Sequence, residues 1–562
     1  MPEEISCRDR IVSEEYQDYI IGRIGTFWDD IIQPESCILP LKYFYRILYA
    51  SREEVGNREL YQIPYPSVPK CYTLLDTEVL QQTGIAQVQT IPGLELYGEN
   101  VIIGFVDTGI DYKQSIFRRL DGSTRVVGIW DQTLQEGTPP EPFGYGSEYT
   151  KDMINEALQN ENPESIVPSS DENGHGTFLA SIACGSGIPE EGFAGVAPEA
   201  DIAVVKLKQA KQYLRDYYEI DENAVCYQEN DIMTALTYLD QLAQKEEKSM
   251  IVCMALGTSM GGHDGDLPLS GYMELMGGME SRALVTGVGN EADERHHYMQ
   301  NINNGNQNVE FNVGSGVRGF VMELWTELPN IFTVTVTSPS GETSKSIPLR
   351  EENGSYEFLF EETKLFLNYR ILVEGTSAQV IFIKFESPAE GIWRLNISPV
   401  FVGDGEYHIW LPVKEFLTGE VFFLESNPDY TITGPGNVRS VACAAYYDGA
   451  NNSLAVSSGR GYTRTIQIKP DFAAPGVNVL GANLRGQLVR RSGSSIAVAV
   501  TAGAEALLME WADQRGETPD SLQIKNLLIL GAERERTQTY PNRGWGYGRL
   551  NLYQSFENIR QI

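Results

Sequence analysis

Three nearly unbroken apolar runs do most to decide what this chain can become: Val101–Val106 (VIIGFV), Ile202–Leu207 (IAVVKL) and Met250–Leu256 (MIVCMAL). A strand with one wet face alternates apolar and polar residues, so a run without alternation is a strand covered on both sides. Helix-like stretches such as Asp231–Lys245 lie between the runs. Strand and helix in alternation predict an α/β domain, a parallel sheet with helices on both faces, beginning over residues 91–300. Over 301–430 the period changes to two: Ile331–Thr337, Tyr356–Phe360, Ala378–Lys384 and Trp393–Ile397 are separated by turns rich in Gly, Pro and Asn. That texture predicts an antiparallel β-sandwich. The α/β pattern returns over 431–562, so the sandwich is expected to interrupt the α/β domain. Residues 1–90 form a separate α+β unit, with a helix expected over Glu14–Ile24, a strand over Tyr43–Ala50 and a proline-marked stretch over Ile63–Pro69.

With 43 basic against 77 acidic residues, the net charge is −34. A phosphate-binding surface needs clustered Lys and Arg, so this balance argues against a nucleic-acid partner and against anionic membranes. It favours solubility and a basic substrate or partner, though a generally acidic bacterial-type proteome is the simpler explanation. The seven cysteines, Cys7, Cys37, Cys71, Cys184, Cys226, Cys253 and Cys443, show neither a CxxC pair nor metal-ligand spacing. Free, buried thiols made in a reducing compartment are the simplest expectation. The start, MPEEISCRDRIVSEEY, lacks a basic segment followed by an apolar stretch, so no signal peptide is expected. No apolar run approaches the roughly 18 residues that span a bilayer.

Three short segments carry chemistry. In VIIGFVDTGI (101–110) a buried strand ends in Asp107, where α/β sheets build their sites. Asp-Thr-Gly also opens the site of aspartic proteases, which need two such carboxylates, and no second copy stands in a matching strand setting. A structural Asp in a turn is the bland alternative. In DENGHGTFLASIACG (171–185) His175 is the one histidine of five with glycine on both sides, at the start of a helix. A neutral imidazole there can take a hydroxyl proton if a carboxylate fixes its tautomer; a plain loop histidine is the alternative. In RSGSSIAVAVTAG (491–503) Ser495 opens a helix, Ile496 to about Trp511, that is small or apolar almost all round and therefore buried. A serine there has free backbone N–H groups and the positive dipole end beside it, which can hold an oxyanion. Ser492, Ser494 and a simple helix cap remain alternatives.

The order Asp, His, Ser is the subtilisin order rather than that of chymotrypsin or the α/β hydrolases. Asp107-Thr-Gly109, His175-Gly-Thr177 and Gly493-Ser-Ser-Ile-Ala497 resemble the motifs of the subtilisin family of serine peptidases, with Ser494 in place of the usual Thr and Ala499 in place of the usual Pro. The likeness extends to Val196–Ile202, Ala255-Leu256-Gly257, Gly287-Val-Gly-Asn290 and Ala473–Val477. It implies a triad of Asp107, His175 and Ser495. It also implies an oxyanion hole of the Asn290 side chain and the Ser495 N–H. Protein or peptide substrate would lie extended along Ala255, Leu256 and Gly257, with Gly287 beside it. No cofactor is required; calcium is common in the family, but no complete ligand set is legible.

Asp107 and His175 are 68 residues apart, a family-like spacing, whereas about 200 residues separate Asn290 from Ser495. That excess, with Lys206–Met233 and its Arg215-Asp-Tyr-Tyr218 and Tyr227–Asp231 segments, is similar to the clostridial Csp subtilases of spore germination. Those proteases keep a pro-region, carry a jelly-roll insert and process another pro-enzyme, and some are pseudoproteases. The resemblance implies that residues 1–90 are a pro-region acting as an intramolecular inhibitor, with self-cleavage expected in Leu80–Thr90. A permanent structural extension is the other reading of that unit. It implies a chain made in the cytoplasm and associated with spores. A non-catalytic sensor or scaffold, a general degradative intracellular subtilase, and a sandwich that binds ligands through Trp325, Trp393 and Trp410 are the remaining alternatives.

Overall fold

The computed structural model describes residues 7–22, 27–29, 31–34, 36–74, 83–188, 193–303 and 305–560. The N-terminal unit is a three-stranded antiparallel sheet of β1 (Gln17–Ile21), β3 (Arg46–Ala50) and β2 (Cys37–Pro40), in that spatial order. The helix expected over Glu14–Ile24 is not formed: Gln17–Ile21 is a strand paired with Arg46–Ala50. Asp18-Tyr-Ile-Ile21 is rich in β-formers, and burying its four side chains against the third strand outweighs its weak helical pattern. The expectation that all seven thiols are free also fails, because Cys7 and Cys37 form a disulfide that pins the helix Cys7–Val12 to β2. The other five cysteines are free and buried.

After β4 (Cys71–Leu74) the chain enters the α/β domain. Its strands are β5 (Val101–Asp107), β6 (Val126–Asp131) and β7 (Asp201–Lys206), with helix α1 (His175–Cys184) before β7. Next come β8 (Tyr227–Gln228), helix α2 (Glu229–Lys245), β9 (Ser249–Cys253), β10 (Leu256–Gly257) and β11 (Arg282–Gly287). After the insertion follow β12 (Ala442–Asp448), β13 (Phe472–Val477) and helix α3 (Ser494–Asp513). The parallel order across the sheet is β6, β7, β5, β9, β11, β12, β13, with short antiparallel strands Ser147–Thr150 and Ser453–Leu454 at its margins. Every residue of β5, β7 and β9 is buried, as their unbroken apolar runs require. Helices α1 and α3 cover one face and α2 the other, each with its own apolar layer.

Helix α3 is long and apolar enough to cross a membrane, but it is 94% buried and forms the centre of the domain. The insertion is two antiparallel sheets of six and four strands, running from His297 to Phe423 and closed over one shared core. Trp325, Trp393 and Trp410 are all buried, so none offers a ring to a ligand. The sandwich is fastened to the α/β domain by the Gly261 N–H donating to Glu323 (2.9 Å) and by His263 stacked on Trp410 (4.1 Å).

Candidate active site

Sheet and helices together bring three distant side chains to one edge. Asp107 is the last residue of β5, His175 the first of α1, and Ser495 the second of α3. The His175 Nδ1 lies 2.8 and 3.0 Å from the two Asp107 carboxylate oxygens, and its Nε2 lies 3.0 Å from Ser495 Oγ. A carboxylate only accepts, so Nδ1 carries the proton and Nε2 is left to accept from the serine hydroxyl. All three side chains are buried.

The local sequence explains how the row is held. Asp107 also accepts from the Thr108 N–H (2.8 Å), and the Thr108 hydroxyl accepts from the Gly176 N–H (3.0 Å), tying the end of β5 to the start of α1. A Cβ on Gly176 would stand 2.2 Å from the Gly109 carbonyl oxygen, so only glycine lets helix and loop approach this closely. Asp171 accepts from the N–H groups of Asn173 (3.1 Å), Gly174 (2.8 Å) and Thr177 (3.0 Å) and from the Thr177 hydroxyl (2.7 Å). That carboxylate satisfies donors at the α1 N-terminus and complements its dipole. Gly493, at φ 143°, makes the turn that starts α3. Neither Ser492 nor Ser494 reaches the imidazole: the Ser494 hydroxyl accepts from the Gly289 N–H (3.2 Å), and its N–H donates to Asn290 Oδ1 (3.2 Å). With its oxygen so engaged, the Asn290 amide has its N–H₂ left to donate. The Ser495 N–H, in the first turn, has no helical acceptor.

The expected substrate edge is already occupied. Leu256 and Gly257 pair antiparallel with Leu74 and Thr73, while Tyr72 and Cys71 pair with Tyr227 and Gln228. Strand β4 thus runs between β10 and β8 as the middle of a three-stranded sheet. Ala255 directly precedes β10, and Gly287 ends β11 three residues before Asn290. The stretch Leu80–Thr90, where a cut is expected, is described only in part. Leu80, Gln81 and Gln82 lie outside the described residues, and Ile85–Thr90 is a helix whose Ile85 and Val88 are buried in the α/β core.

Sequence reasoning missed the anchor of this strand. Asp18 of β1 is fully buried and accepts from Lys211 Nζ (2.5 Å), Gln228 Nε2 (2.5 Å) and Asn230 Nδ2 (2.9 Å), all in the segment that carries β8. Burial lowers the Lys211 ammonium below its ordinary pKa, and Asp18 pulls it back up. Deeper in the same network, Asp231 is bonded to Lys208 (2.6 Å), and burial pushes its carboxyl above the usual range. No periodicity marks a lone Asp in Gln17–Ile21 as a partner for Lys211, nearly two hundred residues away.

Residues 98–548 match the sequence model of the Subtilase family, well over half of the chain. The chain belongs to the subtilase family. It is a subtilisin-like serine peptidase with an α/β fold, as its motifs imply. This subtilase resembles the CspB protease of Clostridium perfringens, at 29% identity and a TM-score of 0.75, over 85% of this chain and 98% of that one. It is also 34% identical to the subtilisin-like protease SBT2.2 of Arabidopsis thaliana over 131 residues, and 33% identical to SBT2.3 over 130. Each of these matches spans 20% of this subtilase and 15% of the plant protease. Among the described residues of this subtilase, no group of three or more His, Cys, Asp or Glu side chains could hold a metal ion.

Proposed function

We propose that the chain is an endopeptidase in which Ser495 is the nucleophile, His175 the general base and acid, and Asp107 the group that orients the imidazole. The observation that carries this reading is the row of contacts at 2.8 and 3.0 Å from Asp107 through His175 to Ser495. Ser495 Oγ attacks the scissile carbonyl as Nε2 takes its proton. The imidazolium, stabilised by Asp107, then gives that proton to the leaving amine. The Asn290 amide and the Ser495 N–H hold the oxyanion, and water repeats the sequence to release the acyl group. Substrate adds a strand to Leu256–Gly257, with Ala255 and Gly287 flanking the bond to be cut.

The N-terminal unit acts as a pro-region and inhibitor. Its strand Cys71–Leu74 lies on the edge that substrate needs, which supports self-cleavage further along the chain, in Leu80–Thr90. Likeness to the Csp group supports a role in spore germination, with another pro-enzyme as substrate. The test is a fluorophosphonate probe on the purified protein beside Ser495→Ala, with intact-mass measurement of both. Wild type should be labelled and cut within Leu80–Thr90, and the variant neither. Equal labelling of the two would overturn the assignment of Ser495.

A further inference from the structure

Three of the five histidines pack on one indole at the seam between the sandwich and the α/β domain. His263 comes from the loop after β10 of the α/β domain. His297 and His408 come from two paired sandwich strands, His297–Asn301 and Glu406–Trp410. All three rings stack on Trp410, with centroids at 4.1, 4.9 and 5.1 Å, and all three are buried. Geometry limits the protons this stack holds. His297 Nε2 lies 3.0 Å from His408 Nδ1, so one hydrogen fits between them. Were both rings imidazolium, two N–H groups would point at each other. Carbonyl oxygens stand at other ring nitrogens: Asn427 at His297 Nδ1 (3.1 Å), and Ile432 and Ser259 at the two nitrogens of His263 (2.8 and 3.1 Å). Burial nevertheless lowers His263 to about 4, against the pull of its two carbonyls and of Asp264. Burial also holds His297 and His408 well below 6.5, and His263 opposes a charge on either.

The charges around the stack do not offset this. Arg464 is bonded to Asp264 and Glu327, and Arg543 lies 3.4 Å from Asp429 and over the Tyr430 ring. Both guanidiniums oppose a charge on His408. Glu406 lies 3.3 Å from His408 Nε2, but its side chain is 35% exposed, so water weakens its pull. Glu323 is engaged by the Tyr65 hydroxyl, the Trp325 N–H and the Gly261 N–H. The seam also reaches the strand on the substrate edge. Trp410 shares a small apolar cluster with Trp325 and Tyr65, and the Tyr65 ring meets Trp325 edge-on at 5.4 Å. The Tyr65 and Val68 carbonyls in turn accept from Lys70 Nζ (2.9 and 2.6 Å), one residue before β4 begins.

We propose that this seam is an acid-sensitive latch: proton uptake by His263, His297 and His408 opens it, withdraws support from Tyr65–Lys70 and frees β4 from the substrate edge. The proposal rests on the reading of β4 as an inhibitory strand. An opened seam returns the three rings to water, where they titrate near their ordinary value of about 6.5. The closed seam keeps them neutral. Its stability is therefore whole above that value and is lost as pH falls toward the folded values, about 4 for His263. Each ring that is neutral when closed and free to titrate when open raises the opening equilibrium about 30-fold at pH 5.

Hydrogen exchange on the full chain carrying Ser495→Ala, which is expected to stay uncut, tests the latch. Protection factors over residues 258–266, 406–410 and 65–74 are compared at pH 7.5 and pH 5. In the first two segments protection should fall at least about 30-fold at pH 5, and the third should fall with them. Adding His297→Phe keeps an aromatic ring against Trp410 but takes up no proton. It should shrink that pH response about tenfold or more, whatever its protection at pH 7.5. Equal protection at the two pH values, or an unchanged response in His297→Phe, overturns the latch. So does a seam that opens while 65–74 stays protected. Neither readout needs turnover, so an inactive wild-type chain would sink the peptidase reading and leave this result standing.

Discussion

Removing one charge on the N-terminal unit should loosen its grip on the substrate edge. Asp18 is 0% exposed and neutralises Lys211, whose side chain is 3% exposed, while also holding Gln228 and Asn230. Asp18→Asn keeps the shape but leaves the ammonium buried without its counter-charge. Breaking a buried ion pair from one side costs about 3–5 kcal/mol. At about 1.4 kcal/mol per tenfold, that is roughly a 100- to 5,000-fold weaker hold. Two readouts check it. Hydrogen exchange across β1 should speed up, because local opening sets the rate there. Hydrolysis of a fluorogenic peptide should rise as β4 leaves β8 and β10 more often. Asp18→Leu combined with Lys211→Met removes both charges and should recover part of the lost hold. Wild-type exchange at β1 together with wild-type peptide turnover in Asp18→Asn would refute the reasoning.

Other outcomes follow from the same geometry. Asn290→Ala should lower kcat by about 10²–10³, or about 3–4 kcal/mol, the measured cost of the corresponding oxyanion-hole donor in a subtilisin, with KM little changed; unchanged kcat would remove Asn290 from the oxyanion hole. Gly176→Ala, whose methyl would stand 2.2 Å from the Gly109 oxygen, should cut kcat/KM at least about 100-fold in a chain that still folds, because α1 must shift. Glu505 is fully buried in α3 with neither carboxylate oxygen bonded among the described residues, and burial raises its pKa well above 4.5. A carboxyl with a raised folded pKa contributes stability that is whole below the unfolded pKa and declines as pH rises, by about 1 kcal/mol per unit, until it ionises within the fold. Urea unfolding of Glu505→Gln should therefore lose less stability than wild type between pH 5 and 8, and parallel curves would argue that Glu505 is ionised in the native state.

The sequence made the sheet legible because β5, β7 and β9 are covered on both faces and so carry no alternation. The sandwich was legible because Ile331–Thr337 and its neighbours alternate strictly. Asp107, His175 and Ser495 stood out by their motifs, and His175 by its two flanking glycines, of which Gly176 is required by the close approach of the Gly109 carbonyl. What stayed hidden depends on partners far away in the chain. Gln17–Ile21 is a strand because Arg46–Ala50 lies beside it, and Cys7 bonds Cys37 because folding of the first unit brings them together. Cys71–Leu74 reads as an ordinary short strand; its importance comes from the two edges on either side.

The sandwich stands between Asn290 and Ser495 in the chain, and this sets a timetable. A ribosome releases the strand that plugs the cleft first, the two edges that grip it next, and the whole inserted domain after that. The Ser495 hydroxyl emerges after all of these. Ser494 then docks on Gly289 and Asn290 across a loop of some two hundred residues, a closure made easier once the intervening domain has already folded. During synthesis, then, Ser495 can join Asp107 and His175 only after β4 is already available to pair with β8 and β10.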